Sequence, residues 1–155
     1  MGTLRACLIF AAACVVALAA SAAGQQRTRR TEALQKVQKI YVGDMGAAVE
    51  AERFRLMLEE QLLKRGFDVA SKAEEADASL TGVLDVRYYD YEYNYSASAT
   101  VRLISSGEEL LWAKDFAERG YVMNPFNRKE PMRRRAEEIA EALKREIKKP
   151  AKRGP

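Results

Sequence analysis

The sequence of 155 residues contains no histidine, and its two cysteines, Cys7 and Cys14, both lie in an apolar segment at the amino terminus. Without histidine, the usual general base for a serine nucleophile and the commonest metal ligand are both missing. Without cysteine in the remainder, disulfides and thiolate zinc sites are not expected to hold the fold together. Stability is therefore expected to come from hydrophobic burial, and function from binding.

Other chemical signatures are also missing. The glycines form neither a phosphate-binding loop nor a dinucleotide-binding fingerprint. The glycine-punctuated carboxylate loop of calcium sites is absent as well. We accordingly expect no catalytic residue, no bound metal and no cofactor, and we expect that the protein is not an enzyme.

The amino-terminal segment has the pattern of a secretory signal. Arg5 precedes an apolar run over 6–20, and small residues follow at 20–24. The run is too short for a membrane-spanning helix, which needs about 20 apolar residues. Cys14 follows three alanines inside the run, so acylation of a lipoprotein is not expected there. We predict a cleaved signal peptide over 1–24 and a periplasmic or secreted product.

The charges are segregated along the rest of the chain. Residues 25–39 carry a net charge of +4, residues 40–127 carry −7 and residues 128–155 carry +6. We predict a flexible basic arm over 25–38, a single domain over 39–148 and a disordered basic tail over 149–155. The basic ends are either solvated tails around the folded domain or segments that attract anionic envelope material. Export and the acidic centre argue against nucleic-acid binding.

The first half of the domain predicts a strand, a helix and a second strand. A β-branched and aromatic run at 39–42 indicates a strand, and apolar residues spaced by three and four over 47–65 indicate a helix that ends at Gly66. An extended run resumes at 67–69, so these two strands are expected to be parallel neighbours. A single helical turn is expected within 71–78.

The second half predicts strands and a final helix. Apolar residues alternate from Leu80 to Tyr88, and the alternation changes phase at Tyr89, which we interpret as a bulge or bend. Two further strands, over 97–104 and 110–116, are separated by a short glycine-containing loop and should form a hairpin. Pro131 is expected to open an amphipathic helix that Pro150 stops.

Together these elements predict an α+β fold. It has a mixed β-sheet with an antiparallel meander and two main helices packed on one face of the sheet. The Lys64-Arg65-Gly66-Phe67 helix end, the step from Glu75-Ala76-Asp77-Ala78 into the third strand, and the hairpin around Gly107 resemble the small α/β domains of bacterial envelope proteins. That group includes the amino-terminal domain of TolB and the penicillin-binding-protein activator LpoB. The resemblance implies docking to envelope components, and it supplies no catalytic residues.

Four tyrosines form the most unusual local pattern, at Tyr89, Tyr91, Tyr93 and Tyr95. On one continuous strand their rings would line one face over roughly 20 Å, at about 3.3 Å per residue. Tyrosine suits protein or glycan contact because it combines apolar area with a polar tip. The same rings also suit an ordinary sheet face. These tyrosines are the candidate partner-binding surface.

The leading hypothesis is a non-enzymatic, exported accessory or docking protein that binds an envelope protein or glycan. One alternative is a carbohydrate-active or peptidoglycan-modifying enzyme that uses the carboxylates Asp85, Asp90 and Glu92, since paired carboxylates can hydrolyse glycosides. A second alternative is a protein that contacts membrane surfaces or anionic polymers through its basic tail and the basic residues of its last helix, which include Arg133, Arg134 and Arg135.

Overall fold

A computed structural model describes residues 25–26, 28–89, 94–117 and 129–149. The first helical segment, α1, covers residues 28–35. The other elements follow in chain order: β1 (Lys39–Val42), α2 (Ala51–Lys64), β2 (Asp68–Ala70), a 3-10 turn (Ala73–Glu75), β3 (Ala78–Tyr89), β4 (Asn94–Ser105), β5 (Leu110–Phe116) and α3 (Lys129–Lys148).

The five strands form one mixed sheet in the order β2-β1-β3-β4-β5. β1 pairs in parallel with both β2 and β3, whereas β3, β4 and β5 pair antiparallel. The predicted α+β class, the parallel pairing of the first two strands and the hairpin between β4 and β5 are all confirmed. The direction of β3 relative to β1, which the sequence pattern left open, is parallel.

Helices α2 and α3 pack side by side on one face of the sheet, α2 over β1, β2 and β3, and α3 over β4. Apolar side chains at alternate strand positions meet the apolar stripes of both helices, as half-buried strands and amphipathic helices require. The fully buried side chains at this interface include Ile40, Val42, Leu80, Val101, Leu103, Phe54, Leu58, Leu62, Met132, Ile139 and Leu143. This layer is the hydrophobic core.

The start of α2 differs from the prediction by four residues. The chain after β1 stays beside β3, where the Gly82 amide donates to the Asp44 carbonyl and the Leu84 amide donates to the Met45 carbonyl, both at 2.9 Å. Gly46 then adopts a φ of +93°. Because residues 43–46 extend the pairing with β3, the helix begins only at Ala51. Its end is as predicted, since Gly66 has a φ of +83°.

The final helix also begins earlier than predicted. It starts at Lys129, and Pro131 lies inside its first turn, where the missing amide has no helical acceptor to lose. Lys148 ends the helix two residues before Pro150. Among the described residues, no helix has both the length and the apolar character needed to cross a membrane.

The predicted flexible arm over 25–38 is wrong for residues 28–37. Helix α1 lies against the domain, because Leu34 and Val37 are buried in the core. The Arg30 Nε atom donates to the Leu111 carbonyl of β5 at 2.8 Å, and the Gln35 side chain donates to the Lys149 carbonyl. Buried apolar side chains and these hydrogen bonds together hold a segment whose composition is mostly polar.

Candidate functional site

The four tyrosines do not lie along one strand. β3 ends at Tyr89 and β4 begins at Asn94, and the two strands pair with Tyr88 opposite Tyr95 and Tyr89 opposite Asn94. The expected bulge at Tyr88–Tyr89 is also wrong, because β3 keeps its register with β4 to its last residue. The change of phase in the sequence marks a chain reversal between two strands. Tyr91 and Tyr93 lie outside the described residues.

Tyr89 and Tyr95 therefore belong to the region around one end of the β3–β4 hairpin. Tyr89 and Tyr95 are on adjacent strands and out of register with each other, and the side chain of Tyr95 is half-buried. Because Tyr89 and Tyr95 are on different strands, they cannot be the two ends of a continuous 20 Å row of rings along one strand. Their part in partner binding remains a prediction, now attached to the end of a hairpin instead of to a strand face.

The face of the sheet opposite the helices is uncovered by any other element that the structure describes. We call it the open face. Its side chains come from β3, β4 and β5 and are mostly polar or small, with an exposed valine among them. They are Thr81, Val83, Asp85, Arg87, Thr100, Arg102, Ala113 and Asp115. Val83 is 60% exposed near the middle of β3. Leu110 of β5, opposite Ile104, adds a second exposed apolar side chain at 40% exposure. A mainly polar face with exposed apolar points suits contact with another macromolecule.

Two short polar contacts order this face. The Arg87 Nε atom donates to Asp85 Oδ2 at 2.7 Å, and the Thr100 hydroxyl donates to Asp115 Oδ1 at 2.9 Å. Both pairs are solvent-exposed, so they contribute little to stability. They do hold hydrogen-bonding groups in fixed positions on a rigid sheet, which reduces the entropy lost when a partner binds.

Of the carboxylates that the sequence suggested for hydrolysis, the structure describes Asp85. Asp85 is paired with Arg87, and Asp90 and Glu92 lie outside the described part of the chain. Within the described ranges, no group of three or more histidine, cysteine, aspartate or glutamate side chains is placed to hold a metal ion. The geometry of the described residues therefore gives the enzyme alternative no support.

The three consecutive arginines of α3 have different environments. Arg133 and Arg134 pair with Glu130 on the surface at 3.0 and 3.1 Å. Arg135 is buried, and its guanidinium donates to the Ala97 carbonyl of β4 and to the Ala117 carbonyl after β5. The sequence pattern grouped these arginines as one basic surface, but Arg135 is a structural tie between helix and sheet.

A second surface lies where the carboxyl-terminal ends of α2 and α3 meet. It is an open groove of about 500 Å³, which we call the basic groove, and its lining is Lys64, Arg65, Glu141, Lys144, Arg145, Lys148 and Lys149. Helix carboxyl termini carry partial negative charge, which explains why cations are stable there. Sequence reasoning found the α3 lysines but treated Lys64 and Arg65 only as helix-ending residues, since nothing local predicts which helix ends meet.

Elsewhere, carboxylates on the surface are tuned by local donors. The pKa of Asp77 is lowered because its Oδ2 atom accepts hydrogen bonds from the backbone amides of Lys39 and Gln38, at 2.8 and 2.9 Å. A hydrogen bond from the Arg55 side chain likewise lowers the pKa of Glu52, and one from the Lys64 side chain lowers the pKa of Glu60. Each of these shifts is explained by a local hydrogen-bond donor.

Comparison with known proteins gives a fold but no family. The sequence matches no known protein family and no curated protein. Its structure is similar to a point variant of the PelC dodecamer from Paraburkholderia phytofirmans, with a TM-score of 0.56 and 14% sequence identity over 70% of this chain and 90% of that chain. A second PelC dodecamer from the same organism has a TM-score of 0.52 and 17% identity, and the match covers 65% of this chain and 87% of that chain.

At this level of identity, the likeness to PelC establishes a shared fold. Each PelC chain is covered almost entirely, so the shared part is a whole fold and not one motif. The resemblance to the TolB and LpoB group was inferred from turns and helix ends, and it stays a prediction. That prediction implied an α+β architecture, and the structure that resembles PelC has this architecture.

Proposed function

We propose that this chain is an exported, non-enzymatic accessory protein of the cell envelope that docks onto another envelope component, either a protein or a glycan. The observation that carries the proposal is the open face, a sheet surface of about three strands with ordered polar groups and an exposed Val83. The strand ends of the β3–β4 hairpin, at Tyr89 and Asn94, lie at one margin of this face.

The structural neighbours support a docking role. Both PelC structures are dodecamers, so this fold has been seen to present surfaces that bind further protein chains. Sheets with one face on the core and the other uncovered are well suited to such contacts, because the uncovered face is rigid before binding. Partners of this chain thus include further copies of itself as well as other envelope molecules.

Site-specific crosslinking tests the docking surface. A photoreactive amino acid is placed at Val83 on the open face, at the exposed Arg102 on the neighbouring strand of the same face, and at Leu56 as the control. Leu56 is 53% exposed on α2, so it matches Val83 in apolar character and accessibility but lies on the other layer. In the native envelope, we expect the same defined product from Val83 and Arg102 and none from Leu56.

Two results would contradict this proposal. One is an identical pattern of products from Val83 and Leu56, which would indicate random collisions. The other is persistence of the product captured at Arg102 both in Val83→Glu and in a folded variant in which all four tyrosines, at 89, 91, 93 and 95, are changed to serine. Export is tested separately by fractionation and mass analysis, which should find a mature amino terminus near residue 24 and not an intact Met1.

A further inference from the structure

The basic groove joins cations from two helices that are far apart in sequence. Lys64 and Arg65 end α2, and the other four cations belong to the last turns of α3 or follow it directly. The Lys144 Nζ atom donates to the Arg65 carbonyl, so it caps α2 and fixes the two helix ends against each other. The groove is therefore a product of tertiary packing.

Its positive charge is only partly neutralised. Lys64 pairs with Glu60, Arg65 with Glu137 and Glu141, and Lys149 with Glu146. Three cations remain with weak or no carboxylate contact: Lys144 contacts a carbonyl, Arg145 is 3.7 Å from a Glu141 oxygen, and Lys148 has no ion pair among the described residues. Donors are thus left available for an added anion.

The available lysines share one side of α3. Lys144 and Lys148 are four residues apart, so they lie on neighbouring turns of the same helix face. Gly66 lies beside Lys144, since a Cβ atom at this position would be in ordinary contact with the Lys144 Nζ atom at 3.6 Å. Two flexible ammonium groups side by side can both contact the oxygens of one tetrahedral anion.

The shape and the sequence context favour a ligand at a surface. The groove is wide and open, which suits a headgroup that stays attached to a larger body, whereas small free anions are generally enclosed. The chain beyond the described residues adds Lys152 and Arg153 within four residues of Lys149. Clusters of four to eight basic residues in this arrangement attract anionic lipid headgroups.

We propose that the basic groove binds the phosphate groups of anionic phospholipid headgroups, with Lys144 and Lys148 as the principal donors. This site is separate from the open face, so its failure would leave the docking proposal intact. Since the interaction is electrostatic and exposed, it weakens as ionic strength rises.

The experiment is co-sedimentation of the purified chain with vesicles of equal parts phosphatidylglycerol and phosphatidylcholine, and with vesicles of phosphatidylcholine alone. The groove variant is Lys144→Gln with Lys148→Gln. A matched control, Lys72→Gln with Lys114→Gln, removes the same charge from two exposed lysines outside the groove. A third variant, Lys152→Gln with Arg153→Gln, removes the same charge from the tail. Thermal unfolding of each variant confirms that it is folded.

We expect binding only to the anionic vesicles, with the groove variant about 25-fold weaker, which is about fivefold for each lysine near a membrane surface. The control should lose less than about half of its binding constant, because its charges act only through the screened net charge. Equal losses in the groove and control variants would overturn the proposal. A full loss of vesicle binding in the tail variant with no loss in the groove variant would also overturn it. So would saturable binding of inorganic pyrophosphate by a chain that does not bind the anionic vesicles.

Discussion

Replacement of Arg135 by methionine should destabilise the protein far more than replacement of its neighbour. Arg135 is 6% exposed, although it is charged and lies in a run of three arginines. Its Nε and Nη2 atoms donate to the Ala97 carbonyl at 3.0 and 2.8 Å, and Nη2 also donates to the Ala117 carbonyl at 3.1 Å. The Nη1 atom contacts Glu138 at 2.6 Å. These bonds connect α3 to β4 and to the end of β5.

The size of the effect follows from these contacts. A hydrogen bond from a charged donor contributes about 1.5–3 kcal/mol, and a buried acceptor left without a partner costs about 1–3 kcal/mol. Methionine fills most of the volume but leaves the buried Ala97 carbonyl without this donor. Glu138 is 40% exposed and Ala117 is exposed, so water can replace both of those contacts. We therefore expect Arg135→Met to lower the free energy of unfolding by about 2–4 kcal/mol.

The single tryptophan provides the assay. Trp112 is buried on β5, with its ring centroid 6.3 Å from that of Phe116, so its fluorescence reports on the sheet region that Arg135 ties to the helix. Urea unfolding followed at this residue should show a lower midpoint with an unchanged slope. For a domain of this size, the melting temperature should fall by about 10–20 °C.

Arg134→Met is the matched control. Arg134 is 41% exposed and pairs with Glu130 at 3.1 Å, so its replacement should cost less than about 1 kcal/mol. Arg135→Lys should fall between the two, because a single ammonium cannot reproduce the planar set of donors. If Arg135→Met and Arg134→Met differ by less than 1 kcal/mol, the structural role of Arg135 is refuted.

Two further predictions concern the sheet. Gly82→Ala should lower the free energy of unfolding by about 3 kcal/mol in the same urea assay. The added Cβ atom would lie 2.3 Å from the Thr100 carbonyl oxygen and would force β3 away from β4. An unchanged urea midpoint would contradict this packing. Asp77→Ala should cost about 1–2 kcal/mol at pH 7 through the loss of two hydrogen bonds at the start of β1. Because folding lowers the pKa of Asp77, the stability that this carboxylate contributes is fully present above the unfolded pKa of about 4 and is lost as pH falls through the folded pKa. If the difference in unfolding free energy between wild type and Asp77→Ala does not shrink below pH 4, this role of Asp77 is excluded.

The elements of the fold could be predicted where a local pattern had one physical meaning. Three-and-four spacing, as in Phe54, Leu58 and Leu62, can bury one side only as a helix, and Gly66 tolerates the left-handed conformation that ends it. The short loop containing Gly107 is too short for a crossover, so the two strands that it connects pair antiparallel as a hairpin. These are local constraints, so the α+β class followed from them.

The alternation around Tyr89 shows where a local pattern has two meanings. A change of phase arises from a bulge within one strand and equally from a reversal between two strands. Only the pairing of Tyr88 with Tyr95 distinguishes them. The same limit explains helix α1, since Leu34 and Val37 are buried in the tertiary core and the neighbouring Gln35 donates to the Lys149 carbonyl, which is more than a hundred residues away. The tyrosine surface was accordingly predicted with the wrong geometry.

The sequence by itself determined the type of each main element, the lack of histidine and the separation of charge, because these depend on composition and on neighbours within a turn or two. The tertiary structure alone decided that Arg135 is buried while Arg134 is exposed, that β1 and β3 are parallel, and that Lys64 and Lys144 share one groove. The physical reason is that burial and electrostatic surroundings are properties of packed elements, and they depend on contacts between residues that are distant in the chain.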